Sequence, residues 1–125
     1  MNSEMLKTRT KKFAVEIAKV CERLPPRLSM LTYSKQLIRS SSSVGANYRA
    51  ACRAKSMADF INKLKIVEEE ADESIYFMEL IEELDPSSKD SLILLKKEGN
   101  ELLSIVVASI NTARNSKNTN RQSKI

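Results

Sequence analysis

Apolar residues recur along most of the chain with the 3.6-residue period of an amphipathic α-helix, and they fall into four segments. The first helix is predicted over about residues 7–24. It ends at Pro25 and Pro26, because proline cannot donate a helical hydrogen bond and restricts the residue before it. The second helix is predicted over about residues 31–55. The apolar stripes are Phe13, Ile17, Val20 and Leu24 in the first helix, and Leu37, Ser41, Val44, Tyr48 and Ala51 in the second.

Capping residues mark the boundaries of the third and fourth helices. Ser56 is a favourable N-cap, and Asp59 follows three residues later as in a capping box. Asp85 then ends the third helix and caps the fourth, with Pro86 at the first helical position. The apolar stripes are Phe60, Leu64, Val67, Ala71, Ser74, Met78 and Ile81 in the third helix, and Leu92, Leu95, Leu102, Val106 and Ile110 in the fourth.

The connections between the four helices are short, which favours antiparallel neighbours. We therefore predict an all-α fold, an antiparallel up-down-up-down four-helix bundle, over residues 1–115. Beyond residue 115 the period is lost among serine, asparagine and basic residues, so residues 116–125 are predicted to form a disordered basic tail. The chain has only two glycines and three prolines, and this scarcity agrees with long helices.

The second predicted helix contains an unusual stretch, Ser40-Ser41-Ser42-Ser43-Val44-Gly45-Ala46. Four serines and a glycine in a helix cost about 3 kcal/mol relative to alanine. One interpretation is a flexible loop that divides the segment and makes five helices. We favour a continuous helix whose small side chains let another helix come close, because the apolar stripe keeps its phase through the stretch.

Charge is divided unevenly along the sequence. Residues 1–55 contain twelve Lys/Arg and three Asp/Glu, a net charge of +9, whereas residues 56–113 contain five and thirteen, a net charge of −8. The remaining residues add four basic side chains, which gives the overall +5. No apolar run approaches the roughly 20 residues of a membrane helix, and the N-terminus does not resemble a signal peptide. The expected compartment is the cytoplasm.

The residue types present exclude several classes of catalytic and metal site. The chain has no histidine, which removes the commonest general base and metal ligand together with Ser-His and Cys-His nucleophile designs. Cys21 and Cys52 are far apart in sequence, so we expect both to be buried, reduced packing residues. The sequence therefore predicts a protein that is not an enzyme and that holds no metal or cofactor.

Four blocks of sequence carry a family resemblance. They are residues 36–40 (QLIRS), 43–49 (SVGANYR), 59–64 (DFINKL) and 70–76 (EADESIY). Over about residues 8–113 the chain resembles the bacterial "four helix bundle protein" family, also called the ribosomal-intervening-sequence or S23-type family. The resemblance implies a ring-like homopentamer encoded in some cases within ribosomal RNA genes. Distant relatives serve as accessory subunits of reverse transcriptases, which implies a reverse transcriptase and nucleic acid as candidate partners.

Basic residues on the second helix form a candidate nucleic-acid site. Lys35 with Arg39, and Arg49 with Arg53, are i,i+4 pairs along one helix. Such a row can neutralise phosphates of RNA or DNA, and further cations cluster near the N-terminus. The alternative is a solvated helix face, or one that pairs with the acidic third helix. If nucleic acid binds, we expect contacts to its backbone with little sequence preference, because tyrosines are sparse.

A candidate subunit interface combines the small and polar residues of the second helix with carboxylates of the third. The acidic third helix of one subunit is predicted to face the basic second helix of its neighbour, a head-to-tail contact that can close into a ring. A plain solvated face is the alternative. The candidate interface residues are Ser40, Ser43, Gly45, Asn47, Tyr48, Glu69 and Glu73.

Two acidic motifs leave a remote enzymatic alternative. Glu70-x-x-Glu73 and Glu98-x-x-Glu101 are similar to the paired motifs of MazG-type nucleotide pyrophosphohydrolases, in which four carboxylates from two helices hold Mg²⁺. The motif is common on acidic helices, and the terminal aspartate of that family is absent. A non-enzymatic protein remains the favoured interpretation, with a pure protein-interaction module as the alternative to nucleic-acid binding.

Overall fold

A computed structural model describes the backbone of residues 1–123 and the side chains of residues 1–116. Within that part the chain is all-helical and contains no strand. Four α-helices are joined by short connections, and a 3-10 turn precedes the last of them. The elements are α1 (Ser3–Glu22), α2 (Leu28–Cys52), α3 (Met57–Leu84), the 3-10 turn Pro86–Ser88, and α4 (Lys89–Ser123). None of the helices described is long and apolar enough to span a membrane.

Side-chain caps fix the starts of α1 and α3. The Asn2 carboxamide oxygen accepts a hydrogen bond of 2.8 Å from the Met5 amide, which explains why α1 begins before the predicted residue 7. Ser56 accepts a hydrogen bond of 3.1 Å from the Asp59 amide, as the sequence predicts. The Asp59 carboxylate in turn accepts from the Lys55 amide at 3.2 Å, one residue before the capping-box position.

The start of the fourth helix differs from the prediction. Pro86 is the first residue of the 3-10 turn, and the α-helix begins three residues later. The Asp85 side chain does not cap a backbone amide. It accepts a hydrogen bond of 2.8 Å from the Ser87 hydroxyl and lies 3.7 Å from the Arg27 guanidinium, so it links the turn to the start of α2.

Helix α2 is continuous through the serine-rich stretch, so the five-helix alternative is wrong. The Ser40 hydroxyl is fully buried and lies 3.0 Å from the Ser74 hydroxyl of α3. A Cβ atom added to Gly45 would lie 3.2 Å from the Thr10 Oγ1 atom of α1. The small residues of α2 therefore let both neighbouring helices come close, which confirms the interpretation of the stretch as a packing surface.

The helices form an antiparallel bundle with one apolar core. Contacts of α1 with α2, α2 with α3, α3 with α4 and α4 with α1 close the bundle. The backbones of α2 and α3 lie close together over the longest stretch, and those of α1 and α4 over the shortest. Antiparallel packing follows from contacts that run in opposite directions along two helices: residues 33 with 77 and 40 with 74 between α2 and α3, and residues 75 with 99 and 82 with 96 between α3 and α4. Most of the predicted stripe residues are buried, and Leu24, Phe60 and Leu95 are half-buried at its edge.

Helix α4 runs past residue 115 to Ser123, into the segment predicted as a tail. The side chains of residues 117–125 and the backbone of the last two residues lie outside the described part of the chain. The disordered basic tail over residues 116–125 therefore stays a prediction.

Candidate nucleic-acid interface

Three of the four basic residues singled out, Lys35, Arg39 and Arg49, lie on the exposed side of α2. Their spacing of four and ten residues keeps them within one stripe of the helix surface, which extends about 21 Å along the axis at 1.5 Å per residue. Arg53 is exposed as well, but it follows directly after the last helical residue, Cys52. Helix periodicity therefore aligns the first three side chains, and the position of Arg53 depends on the turn that follows α2.

Arg39 differs from the other three because it pairs with carboxylates of its own chain. Its guanidinium lies 2.6 Å from the Glu73 carboxylate and 3.3 Å from that of Glu70, both on α3. The hydrogen bond that Arg39 donates to Glu73 is the main cause that raises the pKa of the arginine above its ordinary value. Burial is the main cause that raises the pKa of Glu70. Arg39 therefore pairs with the acidic third helix within one subunit, and the two carboxylates offset its charge locally.

The remaining cations of α2 form no ion pair in the part of the chain whose side chains are described, and neither does Lys11 on α1. The contact between Thr10 and Gly45 places the exposed Lys11 beside α2, on the same side of the bundle. We call this surface the basic face. It consists of Lys11, Lys35, Arg49 and Arg53.

Two candidate subunit-interface residues are enclosed by their own chain. Ser40 is fully buried between α2 and α3, and Tyr48 retains 9% of its exposure. Burial raises the pKa of Tyr48 to about 12, and the neighbouring Cys52 adds to the shift. Because neither side chain is accessible to a second subunit, both are corrected from interface residues to packing residues of the single chain.

The other candidate interface residues remain at least partly accessible. Ser43, Gly45 and Asn47 are half-buried, and the Asn47 amide donates a hydrogen bond of 2.9 Å to the Ser43 carbonyl oxygen. Glu69 is exposed. Glu73 is half-buried in the ion pair described above. A role in subunit contacts stays a prediction for these residues.

The two Glu-x-x-Glu motifs lie at different seams of the bundle. Glu70 and Glu73 face α2, where they hold the α2 arginine. Glu98 and Glu101 of α4 instead bind Arg9 of α1, whose guanidinium lies 2.7 Å from Glu98. The hydrogen bond with Glu98 is the main cause that raises the pKa of Arg9. Among the described residues, no group of three or more potential metal ligands is found.

The cysteines follow the prediction only in part. Cys21 is buried, as expected, and this burial is the main cause that raises its pKa. Cys52 is exposed, so its predicted burial is wrong. It is the last residue of α2, where the chain turns away and leaves its side chain uncovered, whereas the preceding Ala51 is buried.

An apolar surface on the α2–α3 side was missed by the sequence analysis. The Tyr33 and Phe77 rings lie 6.0 Å apart, and the Phe77 and Tyr76 rings 5.5 Å apart. Tyr76 is 55% exposed, and Tyr33 and Phe77 are half-buried. We call these three residues the aromatic patch. Tyr33 is on α2 and Phe77 is on α3, and the sequence period does not show how the two helices are aligned with each other. Their contact could therefore not be predicted from the sequence.

The fold and these surfaces define a small helical-bundle protein with charged and apolar faces. A family model described as "23S rRNA-intervening sequence protein" matches residues 5–108, and the chain belongs to this family. A crystal structure of a protein of unknown function from the S23 ribosomal protein family of Bacteroides thetaiotaomicron is similar to the chain. It shares 32% sequence identity with a TM-score of 0.80, and the match covers 89% of this chain and 99% of that one. No curated protein matches the chain. The predicted family membership is confirmed.

Proposed function

We propose that the chain is a non-enzymatic, cytoplasmic helical-bundle protein that binds the phosphate backbone of nucleic acid through the basic face. The observation that supports this proposal is a set of four exposed cations, none of which forms an ion pair among the described side chains: Lys35 and Arg49 on α2, Arg53 directly after it, and Lys11 on α1. Arg39 is left out of the basic face because two carboxylates of its own chain lie beside it and offset its charge locally. Unpaired cations release counterions from the nucleic acid when they bind.

The strength of this binding is expected to depend steeply on salt. Four phosphate contacts correspond to a slope of about −3.6 in a plot of log affinity against log salt concentration for a duplex. Affinity should therefore fall roughly 150-fold between 50 and 200 mM salt. Contacts to the backbone alone carry no sequence information, so different sequences should bind alike.

Retention on a column of immobilised mixed RNA and DNA tests the proposal. The double substitution Arg49→Glu and Arg53→Glu should abolish retention at about 50 mM salt, where phosphate contacts are strong. The matched control is Lys65→Glu with Lys89→Glu, which makes the same change in net charge at exposed positions outside the basic face. If the unsubstituted protein is not retained at this salt concentration, nucleic-acid binding is ruled out.

A second candidate function is a homo-oligomeric scaffold in which the same charges serve assembly. Its supporting observation is an exposed acidic row on α3, formed by Glu69, Asp72, Glu79 and Glu83, beside the aromatic patch. The basic face of one copy complements the acidic row of another, and two different patches in contact generate a ring if the rotation closes. The homopentamer implied by the family resemblance is the assembly proposed.

Light scattering separates the two functions. A scaffold should have a mass several times the 14.1 kDa of the chain, and a monomer would refute assembly. If the basic face serves assembly, Arg49→Glu with Arg53→Glu should lower the mass, and Glu69→Lys with Asp72→Lys should lower it as well. If the basic face serves only nucleic-acid binding, neither pair of substitutions should alter the mass. Lys89→Glu with Lys97→Glu, at exposed positions of α4, controls for net charge without altering the acidic row.

A further inference from the structure

We propose that the basic face prefers double-stranded nucleic acid to single strands. This inference rests on the proposed nucleic-acid binding and names the class of ligand for the same surface. It follows from two features of that surface, which are the placement of aromatic side chains and the shape of the strip between α1 and α2.

No aromatic side chain is available to stack with bases at the basic face. The chain has six aromatic residues, all among those whose side chains are described. Phe13 and Tyr48 are buried, and Phe60 is half-buried on α3. The other three belong to the aromatic patch on the α2–α3 side. Proteins that bind single strands usually stack unpaired bases on exposed aromatic rings. A duplex needs no such platform, because its bases are already stacked on each other.

The strip between the two helices is lined by small side chains. The close contact at Gly45 draws α1 and α2 together, and Ala14, Ala18 and Ser42 cover the outer surface beside it. Lys11 lies on one edge of this strip, and the α2 cations lie on the other. Because Lys11, Lys35 and Arg49 are on packed helices, the backbone positions that carry these charges are fixed. A duplex presents its phosphates in a fixed array, whereas a flexible single strand must be ordered to match the surface.

The expected preference can be derived from the charges. With four phosphate contacts, the salt slope is about −3.6 for a duplex and about −2.8 for a single strand. The two slopes differ by about 0.8. If duplex and single strand bind equally at about 1 M salt, this difference in slope corresponds to roughly tenfold tighter duplex binding at 50 mM salt. The preference should shrink as salt is added.

Fluorescence anisotropy with labelled 16-nucleotide probes tests the inference. The probes are a single-stranded RNA, a single-stranded DNA, and the two matching duplexes, all of one mixed sequence. Both duplexes, or one of them, should bind roughly tenfold more tightly than either single strand at 50 mM salt, and the duplex that binds identifies the helix form preferred. Equal or tighter binding of the single strands overturns the inference while leaving the proposed function intact.

Two variants keep the test specific to the surface. Ser42→Trp adds an aromatic platform in the middle of the strip, so it should raise affinity for single strands several-fold and reduce the duplex preference. Arg49→Glu with Arg53→Glu should remove binding of every probe. If Ser42→Trp leaves the preference unchanged, the lack of a stacking platform is not its cause and the inference fails. If no probe binds the unsubstituted protein, the proposed function fails and the inference fails with it.

Discussion

Replacing Ser40 with leucine tests whether α2 and α3 need a small residue at their closest contact. Ser40 is fully buried, its hydroxyl lies 3.0 Å from that of Ser74, and Ser74 is fully buried as well. Leucine is larger than serine by two heavy atoms, and the packed interface has no space for them. Insertion of extra methylene groups into a packed core typically costs 1–3 kcal/mol, through strained rotamers and shifts of the backbone.

The net effect is expected to be about 2 kcal/mol of lost stability. Leucine has a higher helix propensity than serine, and this difference offsets a few tenths of a kcal/mol of the lost stability. The entropy of unfolding for a chain of this length is roughly 0.26 kcal/mol/K, so the melting temperature should fall by about 8 °C. Ser42→Leu is the matched control, because Ser42 lies on the exposed side of the same helix and the chemical change is identical.

Urea unfolding followed by circular dichroism measures both variants. Ser42→Leu should stay within about 0.5 kcal/mol of the unsubstituted protein, as surface changes usually do. If Ser40→Leu stays within the same range, the serine-rich stretch does not act as a close-packing surface. A loss of similar size in both variants would instead assign the effect to helix formation rather than packing.

Three further predictions concern buried or paired side chains. Arg9→Met should cost about 1–2 kcal/mol by leaving Glu98 unpaired at a partly buried site, and the loss should diminish in about 1 M salt; equal losses at both salt concentrations in urea unfolding would contradict an electrostatic origin. Because burial raises the pKa of Tyr48 to about 12 from an unfolded value near 10, its stabilising contribution is present below pH 10 and should be lost between pH 10 and 12. Tyr48→Phe should flatten the pH dependence of the melting temperature in that window, and an unaltered profile would count against the assignment. A thiol reagent should modify Cys52 in the native protein but reach Cys21 only after unfolding; a spectrophotometric titration that finds two reactive thiols at once would be inconsistent with this burial.

The helices were predictable because their signal is local. The apolar period places Leu37, Val44 and Ala51 on one side of α2, and each is buried. Because the apolar period is unbroken there, it also predicted that α2 continues through the serine-rich stretch, despite the poor helix propensity of serine. The cap at Ser56 depends on residues three apart, so the sequence displays it directly.

The candidate site could be predicted only in outline, because its chemistry depends on contacts between helices. Periodicity puts Arg39 on the exposed side of α2, but only the helix register shows that Glu73 reaches it within the chain. The same limitation applies to Tyr33 and Phe77, which are 44 residues apart in the sequence and in contact across two helices. The exposure of Cys52 reflects its position at a helix end, whereas the prediction used the average burial of cysteine.

The narrow seam between α1 and α4 has a consequence for the order in which the bundle opens. The backbones of these two helices lie close together over the shortest stretch, and a groove lined by Phe13, Val20 and Leu95 remains between them beside the Arg9 ion pairs. Local opening should begin where two helices lie least close together, so α1 is expected to detach before α2 and α3 separate. Amide protons of α1 should then exchange with deuterium faster than those of the α2–α3 pair. Because Lys11 is on α1, it would leave the basic face each time that α1 detaches.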